Sequence, residues 1–166
     1  KLSDGTFMLN PSNPNIRRRI TEVAGELAER YELYSILLDS PAYPSGEFDD
    51  GLMYLLYGGM LTKDEYRVFS LDALVAGFSA AVKTANPSAF VGVITDAVWA
   101  TALERDGGLD VQSADSSLTR HFADTYKWIQ SGFIDIICPK LSYSTTHSTL
   151  PFEKLMDWWS TVAAET

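Results

Sequence analysis

Short, densely apolar runs alternate along this chain with longer stretches whose apolar residues recur every three or four positions, as strands and helices do when they succeed one another in a parallel α/β sheet. Four strand-helix units are expected. A brief strand at 6–9 precedes Asn13, an N-cap residue, and Pro14, which suits a first helical position. Ile16, Ile20, Val23, Ala24 and Leu27 then mark one helix face through Arg30. The run 34–38 is nearly all apolar, as strands covered on both faces are, and it ends at Asp39. Thr62 and Glu65 spell a capping box, and Tyr66, Phe69, Leu74, Val75, Phe78 and Val82 continue a helix that Asn86-Pro87 stops. A third strand spans 89–94 and ends at Thr95-Asp96. A helix over 118–130 is closed by Gly132, a fourth strand covers 133–138, and Pro151 opens a last helix that buries Phe152, Leu155, Trp159 and Val162.

Two segments break this rhythm. Residues 40–61, rich in Pro, Gly, Asp and Tyr, are too long for a connector and read as a functional loop or small subdomain. Residues 99–116 carry Gly107-Gly108 and several acidic positions. The 166 residues suffice for one core, so residues 1–166 are expected to form a single domain with an insertion at about 40–61. With 13 Lys and Arg against 22 Asp and Glu, the net charge of -9 repels polyanions and argues against nucleic acid or an anionic membrane as partner. The lone Cys138 excludes an internal disulfide and a cysteine-built zinc site. No apolar run of the roughly 20 residues needed for a membrane span is expected, and the N-terminus has neither an initiating Met nor a signal-peptide core, which suggests a piece of a longer protein.

Chemistry in parallel α/β architectures collects where strands end. Asp39 and Asp96 each directly follow an apolar strand, and Lys140 and Tyr143 lie beyond the fourth, whereas Asp135 enters its strand from the opposite end. Two carboxylates converging from neighbouring strand ends suit glycoside hydrolysis, in which one protonates the leaving oxygen and the other is nucleophile or activates water. The structural alternative is that each merely caps its turn. Tyr43, Trp99 and Tyr143 fall just past strand ends, where an aromatic face stacks on a sugar ring, although Trp99 serves equally well as core. Trp128, Trp158 and Trp159 lie on amphipathic helices and read as packing; His147 sits in a polar loop and His121 on a helix. No metal-ligand spacing and no glycine-rich phosphate loop occurs, so no cofactor is expected.

Three segments together resemble one family. Residues 9–17, L-N-P-S-N-P-N-I-R, are similar to its L-N-P-x-x-P-x-V-R; residues 31–44 keep Asp39, Tyr43 and Pro44 of its Y-x-V-D-G-I-x-x-D-D-Y-x-Y-P; residues 123–139 match its A-D-x-x-K-W-I-x-x-G-x-I-D-x-I-x-P. The chain thus resembles the bacterial glycosyl hydrolase-like family ten, (β/α)8-barrel proteins associated with glycan cleavage. It departs from the pattern at Ser40, where the family has a second aspartate, at Pro41, at Tyr66-Arg67 in place of W-R-R-x-N, and at 139–143 in place of P-Q-x-Y-W. Asp96 stands where the family shows an apolar or small residue, so its candidacy rests on position.

The resemblance implies an α/β fold, part of a (β/α)8 TIM-type barrel. It also implies a glycoside hydrolase acting on a bacterial envelope or extracellular polysaccharide, outside the cell or in its envelope. Asp39, as general acid or principal catalytic carboxylate, and Asp96, as its partner, are the candidate catalytic residues, and Tyr43, Trp99, Lys140 and Tyr143 the candidate substrate-binding residues. The rival reading is a carbohydrate-binding protein that has lost its acid/base pair, which Ser40 favours. Four open strands would leave edges to be covered by further barrel or by self-association.

Overall fold

A computed structural model describes residues 5, 7–46, 48–113 and 115–164. Among them the chain runs α1 (Pro14–Arg30), β1 (Ser35–Asp39), α2 (Gly51–Tyr57), α3 (Lys63–Ala85), β2 (Phe90–Thr95), α4 (Ser117–His121), α5 (Thr125–Gln130), β3 (Ile136–Pro139) and α6 (Phe152–Ala164). The strands form one parallel sheet in the order β1-β2-β3, each step crossing over through helix, as a (β/α) succession requires. Three strands stand where four are expected. Thr6 lies outside the described residues, and 7–9 form no strand: β1 pairs only with β2, and its outer edge is not joined by them. The chain instead turns at Asn10, whose side chain accepts from the Ser12 amide and whose carbonyl accepts from the Asn13 amide.

The helix ends follow their capping chemistry. Asn13 accepts from the Asn15 amide with Pro14 at N1, and Thr62 and Glu65 make a reciprocal capping box. Ala24, Gly25 and Ala28 of α1 lie against α3, where Gly77 and Ala81 are the facing small residues, so the two backbones approach closely. α3 is long and apolar enough to cross a membrane by length and composition alone; here it is a core helix, burying Leu71, Leu74, Val75, Phe78 and Val82. Its Asp72 accepts from the Trp128 indole at 2.7 Å and pairs with Lys127 at 2.6 Å, which ties α3 to α5. The expected single helix over 118–130 is broken: Phe122 takes φ 58° after α4, and Asp124 starts α5 by accepting from the Lys127 amide. Hydrophobic spacing carries no sign of a left-handed residue. Gly132, at φ 64°, closes α5 as expected.

Register assigns the two faces of the sheet. Ile36, Leu38, Val91, Val93 and Ile137 share the face that packs into the helical core. Leu37, Asp39, Phe90, Gly92, Ile94, Ile136 and Cys138 share the other, which no helix among the described elements covers and where Leu37 and Phe90 are exposed. Gly92 sits mid-sheet on that face, and a Cβ there would meet Ile136 at 3.0 Å and Leu37 at 3.2 Å. At the opposite end of the strands from Asp39, Asp135 accepts from the Val91 amide and from Lys83, each at 2.8 Å, which fixes the entry of β3 beside β2.

Candidate functional site

The sheet's hydrogen-bond ladder continues one step beyond its strands. The Ser40 amide donates to the Ile94 carbonyl and the Lys140 amide to the Thr95 carbonyl, each at 2.9 Å, so residues 39–40, 95–96 and 139–140 form one row at the C-terminal edge. Asp39 pairs in register with Ile94, and Asp96 follows two residues later. Strand spacing and rise put their backbones about 8 Å apart. A cleft of about 380 Å³ opens beside this row, lined by Asp96, Gln112, Asp115, Lys140, Tyr143 and Thr149 among others. Three of the expected residues, Asp96, Lys140 and Tyr143, therefore share one cavity, and Asp39 joins them through Lys140.

Asp39 is 71% exposed, with the Lys140 ammonium 3.4 Å from its Oδ1. Ser40 donates its hydroxyl to the same oxygen at 2.8 Å and accepts from Lys140 Nζ. The Ser40 hydroxyl first, and the Lys140 ammonium after it, hold the Asp39 carboxyl below the usual aspartate range. Such a group is ionised at neutral pH, which suits a nucleophile, a base or an electrostatic stabiliser and does not suit a general acid. Asp96, 44% exposed, lies 3.8 Å from His121 Nε2. That imidazole donates through Nδ1 to the Tyr43 carbonyl at 2.8 Å and sets Nε2 3.0 Å from Asp115. His121 and Asp115 belong to the neighbourhood of the site and were not legible as such: the histidine is carried to the strand ends by α4, and only tertiary contact brings it beside Asp96.

Two expected sugar platforms are corrected. Tyr43 is only 1% exposed; its ring lies against Phe48 and Phe122, and its hydroxyl is hydrogen-bonded to Ser12 Oγ. Burial pushes its phenol up to about 12. Trp99 is 4% exposed, stacked on Trp158 at 5.8 Å and tilted against Tyr126 at 4.9 Å, and its indole donates to Asp124. Further chain can only add to this burial, so both aromatics are core. Tyr143 keeps a place on the cleft, its ring edge-on to His147, which accepts from the Leu150 amide and closes the 144–150 loop. Trp128 and Trp159 are buried as expected, and Trp158 is half-buried.

The insertion at 40–61 is held by charge. Asp50, fully buried, takes two hydrogen bonds from Arg67, at 2.7 and 3.1 Å, and a third contact from Lys63 at 2.7 Å. Burial pushes its carboxyl up, and the two cations more than reverse this, leaving it below the usual range. The Arg67 guanidinium lies between the Phe48 and Phe122 rings, 4.7 and 4.8 Å from their centroids. Tyr66 donates to the Ser12 carbonyl. The Tyr66-Arg67 pair is thus a fastening for the insertion and the N-terminal turn. Among the described residues no group of three or more His, Cys, Asp or Glu is gathered closely enough to hold a metal ion.

Known proteins match the chain along its length. The profile of a family described as Glycosyl hydrolase-like 10 covers residues 3–166. "Glycosyl hydrolase DigH" of Escherichia coli strain K12 is 27% identical over 170 residues, taking in 100% of this chain and 38% of its own length. "Glycosyl hydrolase YngK" of Bacillus subtilis strain 168 is 28% identical over 157 residues, with 91% of this chain and 31% of its own length aligned. The chain therefore spans about two-fifths of the first of these relatives and less of the second. Matched from residue 3 to its last residue, with the motifs at 9–17, 31–44 and 123–139 in order, this chain belongs to the glycosyl hydrolase-like family.

Proposed function

We propose that the chain supplies one sector of a (β/α)8 barrel whose mouth hydrolyses glycosidic bonds of a bacterial envelope or extracellular polysaccharide. The observation that carries this reading is the row of Asp39, Asp96 and Lys140 at adjacent parallel strand ends beside a polar cleft, in a family named for glycosyl hydrolysis. A backbone separation of about 8 Å between neighbouring strand ends lets two carboxyl groups reach towards one glycosidic bond. Asp39 is the ionised partner and Asp96 the second carboxyl of the pair, with Tyr143 lining the cleft near the sugar. The open sheet face supports the barrel: in a closed barrel Leu37, Ile94 and Ile136 become interior packing. The charge of -9 favours a neutral, hydroxyl-rich ligand, and an extracellular or envelope location follows from the polysaccharide proposed.

Incubation of the complete polypeptide that carries this sector with a panel of polysaccharides and peptidoglycan glycan strands, read as new reducing ends, tests it. Release from at least one glycan is expected. A second reading, a carbohydrate-binding protein without turnover, is favoured by Ser40 standing where the family pattern has aspartate. Glycan binding with no reducing ends under any condition selects that reading.

A further inference from the structure

β1 ends at Asp39, and Ser40 takes φ 50°, the left-handed region that residues with a side chain seldom enter. Its amide still closes the ladder on Ile94, so the unusual φ acts after the last strand bond and redirects the side chain. The hydroxyl reaches back to Asp39 Oδ1 at 2.8 Å. From the far edge of the sheet Lys140 extends across the end of β2, hydrogen-bonds Ser40 Oγ and lies 3.4 Å from the same Oδ1. Both contacts fall on one carboxylate oxygen and leave Oδ2 for a reacting atom.

We propose that Ser40 and Lys140 are positioning residues that fix Asp39 as an ionised carboxylate with Oδ2 left free at the strand end beside the cleft, which makes Asp39 the nucleophile or base of the reaction and not its acid. This rests on the glycoside hydrolase reading. A general acid must hold its proton at the working pH, and carboxyls that do so sit in apolar surroundings or beside other carboxylates. Asp39 has a hydroxyl donor and an ammonium instead. Asp96 and Asp115 line the cleft with Lys140 and act in the opposite direction, but the charge within ion-pair distance is that of Lys140. Asp39 then either attacks the anomeric carbon, forming a carbon–oxygen bond as the glycosidic one breaks, or removes a proton from the attacking water. In both cases the leaving oxygen takes its proton from another group, and Asp96 and Asp115 are the carboxyls that line the cleft. Ser40 and Lys140 act through Asp39 and need no contact with sugar.

The test reads Asp39 directly. In the full chain, carbon-detected titration of aspartate carboxyls, assigned with Asp39→Asn, is compared among wild type, Lys140→Met, Lys140→Arg and Ser40→Ala. The Asp39 midpoint is expected to rise in Lys140→Met and in Ser40→Ala and to stay near wild type in Lys140→Arg. The acidic limb of kcat/KM moves to higher pH with it, and kcat falls on the order of 10²-fold in Lys140→Met while KM changes little. Ser40→Ala keeps the test alive should Lys140→Met fail to fold. An Asp39 midpoint unchanged in the folded Met and Ala variants overturns the pairing, whether or not wild type cleaves glycan. A midpoint that shifts in a protein that releases no reducing ends from any glycan supports the pairing and overturns the hydrolase reading.

Discussion

Asp39 owes little of the fold to its side chain, which is largely exposed, and this makes it a clean position to test. Asp39→Asn is nearly isosteric and removes the charge that faces Lys140; it is expected to abolish turnover while leaving the circular dichroism spectrum and thermal midpoint as in wild type. Wild-type turnover in the folded variant dismisses Asp39. Asp96→Asn is expected to lower kcat/KM by at least the roughly 10²-fold typical of a positioned acid or base. The two aspartates were legible because each directly follows an apolar run and strand ends are where such folds gather chemistry. Tyr43 and Trp99 follow the same strands and were misplaced, since position beyond a strand does not say which way a side chain turns; here Ser12 and Asp124 receive their polar tips and the rings enter the core. His121 went unseen for the complementary reason: its neighbours Asp96 and Asp115 meet it only in space.

At the scale of elements, the insertion depends on one helix residue. Arg67 of α3 supplies two of the three cationic contacts to Asp50, which begins α2 as its N-cap position. Arg67→Met leaves a buried carboxylate with Lys63 alone and is expected to cost about 3–5 kcal/mol at pH 7, measured by urea unfolding. The pH dependence has a definite sign. The Asp50 pKa is depressed in the folded protein, so its contribution is present above the ordinary aspartate value of 3.8 and is lost as pH falls through the folded value. Glu104 and Asp135, whose pKa values also lie below the ordinary ones despite burial, add to the same acid loss. Arg67→Met should therefore unfold at a higher pH than wild type on acid titration, and the two should converge at low pH; equal acid midpoints would show that Arg67 does not set the ionisation of Asp50. α1 and α3 were readable because local capping chemistry, Asn13-Pro14 and Thr62 with Glu65, decides where they begin. The break between α4 and α5 was not, because Phe122 adopts φ 58° within a tertiary arrangement that sets its ring under the Arg67 guanidinium and edge-to-face with Tyr43.

At the scale of the whole molecule, the three parallel strands among the described residues present a sheet with two unpaired edges, β1 on one side and β3 on the other. Parallel strands are ordinarily covered on both faces, and nearly continuous apolar runs such as 34–38 and 133–138 carry that expectation in the sequence. Here only one face meets helices. Leu37, Phe90, Ile94, Ile136 and Cys138 lie on the other, and each edge offers free backbone donors and acceptors to any strand that meets them. Apolar side chains are exposed on the insertion as well, at Leu52, Leu55, Leu56 and Met60. The 166-residue chain prepared alone is therefore expected to associate, two or more copies covering the open face, while a longer polypeptide whose further strands pair with β1 and β3 and cover that face stays monomeric. Light scattering coupled to size-exclusion chromatography reads the mass directly, and addition of the remaining strands in trans should shift the associated form towards a complex of one copy of each. A lone chain that stays monomeric at high concentration and unfolds cooperatively would mean that three strands and one covered face suffice, and that the open face is solvated surface and not the inside of a barrel.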